Sequence, residues 1–267
     1  LSDVHFDLDP TKAEYNSFVL PKRAEYLILA GDIGSLSQDF ENYSAFLIRQ
    51  CRVFKRVFLV LGECEFKPLK AKKNHAEGVE TARRLPDMPE MNGRLTLLEK
   101  NRYDLTEDDG TTVSILGCTL WSQFQQKYLK EKQFEFFENT TITHTARFAD
   151  HLSWLRASVK AIRDGFGKAR KILVVTHHAP TIKNSDKPDR EARMESGQYG
   201  SDILGGKALK VKGLGRGDVW VYGHTNYTTE FYAAGVRVLA NQRGPGNPAP
   251  VVNPGIHEFD VERTFEM

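Results

Sequence analysis

The sequence predicts an α/β fold of two packed β-sheets with helices outside. Three observations carry this. Strand and helix signals alternate through the first half of the 267 residues. Closely spaced strands then dominate the tail. Polar side chains also recur where apolar runs end, which is the edge at which α/β sheets bind ligands.

In order, "EYLILAGD" (25–32) reads as a buried strand closing in a polar turn. "SQDFENYSAFLIRQC" (37–51) places Phe40, Tyr43, Phe46 and Leu47 at helical spacing. "RVFLVLGE" (56–63) is the next strand, and residues 74–85 form a helix closed by Pro86. "LTLLEK" (95–100) and "TVSILGCTLW" (112–121) are strands. Residues 143–164 carry Phe148, Leu152, Leu155, Val159 and Ile162 on one face of a long amphipathic helix. "KILVVTHH" (171–178) is a strand ending in two histidines, and 198–212 is expected to hold a helix that Gly205 and Gly206 weaken. "DVWVYGHTNY" (218–227), "TTEFYAA" (228–234) and "VRVLANQ" (236–242) are strands, with "HEFDV" (257–261) as the last.

A chain of this length can bury a sizeable core. No repeat, low-complexity tract or splitting linker appears, so residues 1–267 are expected to form a single domain. Hydrophobic content of 40% and charged content of 27% are ordinary for a globular protein. A net charge of +2 argues against nucleic-acid or membrane binding by bulk electrostatics. No apolar run approaches the roughly 18 residues of a membrane-spanning helix, and no secretory signal is visible. Three cysteines, Cys51, Cys64 and Cys118, make no disulfide framework and fit a reducing compartment, so a cytoplasmic location is expected. The chain opens at "LSDVHFD", where a preceding strand would be expected.

Asp3, His5, Asp32, Glu63, Cys64, His177, His178, His224 and Asn226 all fall at predicted strand ends. Carboxylates and imidazoles bind first-row divalent metals. Two such ions roughly 3.5–4 Å apart can clamp a phosphate and generate a hydroxide nucleophile at neutral pH. A carboxylate in the middle of the set can bridge them, and glycines at 31, 62 and 223 let the backbone turn sharply.

The motifs "SDVHFD", "LAGDIGS", "VLGECEF", "VVTHHAP" and "VYGHTNY", in this order from Asp3 to Asn226, resemble those of the calcineurin-like metallophosphoesterase superfamily. "LGCTLWS" and "ANQRGP" further resemble a subgroup of small, often fungal members. The resemblance implies a four-layer αββα sandwich of two packed mixed β-sheets flanked by helices. It implies a metal-dependent hydrolase of phosphomonoesters or phosphodiesters, with one or two divalent transition ions (Mn, Fe or Zn) and a small-molecule substrate. By this resemblance Asp3 and His5 hold the first metal, Asp32 bridges, and His177 and His224 hold the second. His177 is preferred over His178 as the ligand, which leaves His178 to orient a neighbour or line the substrate pocket.

Three positions depart from the family pattern. Its Gly-Asn-His-Glu corner reads "GECE" here, so Glu63 stands at the metal-binding Asn and Cys64 at the catalytic His. Its Gly-His-Xaa-His ends here on Asn226 instead of a first-metal imidazole. Glu63 supplies an oxygen with added negative charge. A neutral thiol is a weak proton donor, and an amide oxygen is a poorer ligand than imidazole. Three readings follow: a divergent phosphoesterase, a catalytically degenerate binding or regulatory protein, or a metalloenzyme repurposed for a non-phosphate substrate. The long polar stretch 181–203 is a candidate substrate-covering connection, with Arg190, Arg193, Ser196 and Tyr199 as candidate contacts. Arg243 of "ANQRGP" is a further candidate. "KPLKAKKNH" (67–75) reads as a solvated basic face, and His75, His144, His151 and His257 are given no role.

Overall fold

The computed structural model describes residues 1–66, 75–125, 131–246 and 257–267. All of the basic run 67–75 except His75 therefore lies outside the described residues. The helices are α1 (Glu14–Ser17), α2 (Phe40–Val53), α3 (His75–Arg83), α4 (Glu131–Phe166) and α5 (Glu191–Glu195). The strands are β1 (Tyr26–Ala30), β2 (Arg56–Val60), β3 (Leu95–Leu97), β4 (Asn101–Thr106), β5 (Thr112–Cys118), β6 (Lys171–Thr176), β7 (Val219–Tyr222), β8 (Thr229–Ala233) and β9 (Val236–Ala240).

Two sheets form. The three-stranded sheet runs β1-β2-β3 with parallel pairing, and the six-stranded sheet runs β4-β5-β6-β7-β9-β8 with parallel and antiparallel pairs. Side chains alternate between faces along a strand, and here both faces are buried. Leu27, Leu29, Val57 and Leu59 face outward to α1 and α2, with Tyr15, Tyr43 and Phe46 in the same cluster. Ala30, Phe58 and Val60 face inward, against Val113, Ile115, Leu173, Val175, Val219 and Val221 of the other sheet. The outer face of the second sheet, with Leu116, Val174, Trp220 and Val238, packs on Phe148, Leu152, Leu155 and Val159 of α4. Three apolar clusters thus separate four layers, helix–sheet–sheet–helix, as expected.

Residues 1 and 2 join the two sheets. Leu1 accepts a hydrogen bond from Ala30 N at 2.9 Å on one side, and Ser2 N donates to Asn241 O at 3.0 Å on the other. Asp3 is thereby delivered to the seam between the sheets.

Two expected elements do not form. Residues 198–212 are turns, because Gly205 and Gly206 wrap tightly around Asp202, whose carboxylate accepts from Gly205 N at 3.0 Å. "HEFDV" is not a strand. Its Asp260 is paired through the side chain of Asn241, which donates to Asp260 O at 2.7 Å and accepts from Asp260 N at 3.0 Å. Strand β4 was not expected: "NRYDLT" is a largely exposed edge strand with no apolar run. The stretch 181–203 contains α5.

Candidate metal centre

Asp3 and His5 follow the isolated bridge of Ser2 to Gln242, the other candidate ligands follow β1, β2, β6 and β7, and several of the turns that carry them are unusual. Asp3, His5, Asp32, His224 and Asn226 all have left-handed backbones, with φ of 54°, 57°, 52°, 73° and 54°. Such conformations cost of order 1–3 kcal/mol each and persist only where the surroundings enforce them. Here that enforcement is visible. The Asp3 carboxylate accepts from His224 N at 3.0 Å, and Asp32 Oδ1 accepts from Cys64 N at 2.8 Å. Glu65, fully buried, accepts from Asp32 N (3.1 Å), Ile33 N (2.9 Å), Gly62 N (2.8 Å) and the Tyr43 hydroxyl (3.1 Å). It ties the ends of β1 and β2 together.

Glycine is required where these turns meet. A Cβ on Gly31 would lie 2.5 Å from His177 Nδ1, and one on Gly62 would lie 2.3 Å from Asp32 Oδ1. Only a hydrogen at these positions lets the ligands close in.

The ligand atoms converge in three groupings, each with all members within 4.8 Å: His5–Asp32–Cys64, Asp32–His177–His224 and Glu63–His178–His224. Asp32 and His224 each belong to two of them. His177 Nε2 is 3.4 Å and His5 Nε2 4.0 Å from Asp32 Oδ2, and His5 Nε2 is also 4.0 Å from Asp3 Oδ1. Glu63 Oε1 faces His178 Nε2 at 3.7 Å and His144 Nε2 at 3.6 Å. Asn226 is held by Gln242 Oε1, which accepts its backbone N–H at 2.6 Å.

Several of these atoms are buried with no hydrogen-bond partner: Nε2 of His5, His144, His177 and His224, both ring nitrogens of His178, and Oδ1 of Asn226. Buried polar atoms are normally satisfied. Orphaned imidazole nitrogens converging on carboxylates fit a bound cation, and the groupings are positioned to chelate one or two divalent metal ions.

The electrostatics agree. Burial alone would raise the Asp32 carboxyl, but the imidazoles of His177, His5 and His224 outweigh it and hold it well below the usual carboxylate range. Burial opposes a charged His177, yet the Asp32 and Asp3 carboxylates push it up to about 10. Burial lowers His224 to about 4 and, with the neighbouring imidazoles, holds His178 well below its ordinary value. Burial tends to raise Glu63, but His144 and His224 bring it down on balance. The nitrogens of His178 and His224 are thus available as lone pairs at neutral pH.

Other predicted residues fall at the rim or elsewhere. The Tyr199 ring lies 5.2 Å from that of His224, and Arg193 stacks on Tyr199 at 4.2 Å while donating to Thr225 O at 2.7 Å and to Asp186. Ser196 caps its own turn through Arg193 O. Arg190 is in the turn before α5, where its backbone N–H donates to Lys187 O. Arg243 lies beside the Asp3 turn, where its backbone N–H donates to Ser2 O, and its side chain's described partners include Glu14, at 2.6 and 3.2 Å, and the Val4 carbonyl. His144, expected to have no role, faces Glu63. Trp121 was not singled out, yet it packs edge-on against His144, with ring centres 4.9 Å apart. The signal for His144 was its place on the buried stripe of α4, four residues before Phe148.

The sequence profile of the calcineurin-like phosphoesterase family matches residues 1–227. An uncharacterized protein of Acanthamoeba polyphaga mimivirus is 24% identical over 252 residues, covering 88% of this chain and 83% of its own. The crystal structure of a phosphopantetheinyl hydrolase from Mycobacterium tuberculosis superposes with a TM-score of 0.60 at 16% identity, covering 91% of this chain and 88% of that one. With five motif-bearing turns gathered at one edge of an αββα sandwich, a metal-binding fold consistent with phosphoesterase-type hydrolysis, this chain belongs to the calcineurin-like phosphoesterase family.

Proposed function

We propose that the protein is a divergent metal-dependent phosphoesterase that hydrolyses a small-molecule phosphomonoester or phosphodiester. The observation that carries this reading is Asp32. It is a buried carboxylate shared by two ligand groupings, held ionised by imidazoles and oriented by the Cys64 N–H.

In this reading Asp3, His5, Asp32, Glu63, His177, His224 and Asn226 hold the ions, with Asp32 between them. When bound, one or two divalent transition ions supply Lewis-acid activation of a water and of the phosphoryl oxygens. The chain's own residues set the geometry. His177 donates from Nδ1 to Ala30 O at 2.9 Å, which orients the ring and aims Nε2 at Asp32. Cys64 occupies the position of the proton-donating group, where a thiol serves poorly, so the rate should be modest. His178, Tyr199 and Arg193 line the substrate side. No described helix is long and apolar enough to cross a membrane. Three buried cysteines, Cys51, Cys64 and Cys118, that form no disulfide favour a reducing, cytoplasmic setting. Residues 1–267 act as one domain in this reading.

The test is hydrolysis of aryl phosphate mono- and diesters with saturating manganese or zinc, with metal content measured in parallel. Hydrolysis that disappears on chelation and returns with metal is the expected result. A metal-loaded protein that hydrolyses neither ester would refute the phosphoesterase reading and favour a non-phosphate substrate.

A further inference from the structure

Glu63 puts a negative charge where the family pattern has a neutral amide, in a site whose proposed substrate is itself an anion. A cation nearby would offset that charge. Most cations around the centre are already paired: Lys12 with Asp39 at 2.9 Å, Arg193 with Asp186, and Arg243 with Glu14 at 2.6 Å. Arg147 is different. It is half-buried, and no described residue gives its guanidinium a hydrogen bond or an ion pair.

Arg147 lies three residues after His144 on α4, so the two side chains share a face of the helix. His144 Nε2 is 3.6 Å from Glu63 Oε1. The Arg147 guanidinium is stacked on Trp121, with Cζ 4.8 Å from the ring centre. The Trp121 ring in turn lies 4.9 Å from that of His144 and 5.8 Å from that of His178. The indole is thus a wall shared by the arginine and the imidazoles of the centre. Burial lowers the guanidinium from its ordinary value, and the Glu63 carboxylate offsets part of this. An arginine stays charged even so.

The chain goes to some cost to put Trp121 there. Leu120 and Trp121 both have left-handed backbones, with φ of 70° and 59°. Bulky residues are outliers in that region, and two in succession need firm support. The support is present. The Thr119 hydroxyl donates to Leu61 O at 2.8 Å, Leu120 N donates to His151 Nδ1 at 3.2 Å, and Gln123 N donates to Ser201 Oγ at 2.9 Å. Trp121 is 5% exposed, and its Nε1 is buried with no partner. A guanidinium lying flat on an aromatic face keeps its N–H edge free, and that edge grips a phosphate or carboxylate through two parallel hydrogen bonds.

We propose that Arg147, seated on Trp121, binds an oxyanion of the substrate beside the Glu63–His178 edge of the metal centre. This rests on the phosphoesterase reading for the identity of the substrate, and it adds the group by which α4 holds that substrate. The oxyanion is the scissile phosphate or a second anionic group on the leaving side, and the same fork serves either.

The metal-loaded protein is titrated calorimetrically with three probes: inorganic phosphate, para-carboxyphenyl phosphate and its uncharged counterpart para-carbamoylphenyl phosphate. Hydrolysis of the two esters is followed separately, and their binding is read as KM where they react. Arg147→Gln should bind the oxyanion about 10–100-fold more weakly, at unchanged metal content and melting temperature. Arg147→Lys should recover only part of the loss, because it keeps the charge without the planar fork. It also carries the test if the Gln variant fails to fold. A loss with phosphate and both esters alike puts the scissile phosphate on Arg147. A loss confined to the carboxyphenyl ester puts the leaving group's carboxylate there. Binding that depends on Arg147 without any hydrolysis refutes the phosphoesterase reading and leaves the oxyanion site standing. A folded Arg147→Gln that binds all three probes as the wild type does overturns the proposal, as does a metal-loaded wild type that binds none of them.

Discussion

The Cys64 sulfur lies 3.2 Å from Nδ1 of His5. A side chain at position 64 therefore reaches the ligand cluster from the same turn that holds Asp32, and only its chemistry is in question. The triple variant Glu63→Asn, Cys64→His and Asn226→His should raise hydrolysis of an aryl phosphate ester about 10²-fold or more. The single changes should gain much less, because groups acting as a unit are strongly non-additive. Rates under saturating manganese, normalised to bound metal, make the comparison. No gain in a fully loaded triple variant would mean that the rest of the pocket has also moved away from phosphate esters.

Protein purified without chelator should carry at least one transition ion per chain. Its melting temperature should fall on chelation and recover with zinc or manganese. Ligand at 100 times its Kd adds about 2.7 kcal/mol. Anomalous peaks should be stronger beside His177 and His224 than beside His5, whose side has an amide at Asn226. Equal, full peaks would show that Asn226 is no handicap.

Glu65 accepts from three buried backbone N–H groups and from Tyr43. Glu65→Ala should cost about 3 kcal/mol or more, since each stranded donor costs about 1–3 kcal/mol. Glu65→Gln should recover little of it, because its amide points a donor at donors. Urea unfolding measures both variants. A Gln variant as stable as wild type would show that the charge and second acceptor oxygen are dispensable.

Burial raises Glu99 to about 7, from an ordinary value of 4.5. Between these values the native chain keeps a proton that the unfolded chain has lost, so the Glu99 contribution falls as pH rises through that window and is flat above it. Glu99→Gln removes this loss. The two proteins should be equally stable near pH 4.5, and the variant ahead by about 2–3 kcal/mol above pH 7.5. His151, which burial lowers to about 3, acts in both proteins and leaves the difference to Glu99. A variant that is not ahead at pH 8 contradicts the assignment.

Gly62→Ala should cost both stability and metal affinity, because the new methyl would meet the Asp32 carboxylate at 2.3 Å, the Asp32 backbone nitrogen at 2.6 Å and the His177 ring at 2.8 Å. Calorimetry with zinc on the folded variant tests this. Unchanged affinity would mean that Asp32 can rotate away and still bind.

Much of the fold could be read in advance because both sheets are buried on both faces, so β1, β2, β6 and β7 appear as dense apolar runs. The site was legible for the same reason: a polar residue just past such a run has to lie at the sheet edge. What escaped lacked that contrast. Strand β4 is exposed and polar. His144 sits among apolar neighbours on a helix, where a histidine looks like any half-polar core residue. The Asp260 turn copies a strand pairing through the Asn241 side chain, which no periodicity records.

The left-handed backbone at Asp3, His5, Asp32, His224 and Asn226 narrows the routes by which this centre can change over evolutionary time. Apart from glycine, the residues most at ease there are Asn, Asp and His, and β-branched ones are strongly disfavoured. Two of those three are good metal ligands, and the third is the amide found at position 226. Drift at these turns is thus channelled among residues that still offer an oxygen or nitrogen to a cation. A lineage can lose the reaction while its descendants go on looking, at the level of ligands, only one mutation away from regaining it.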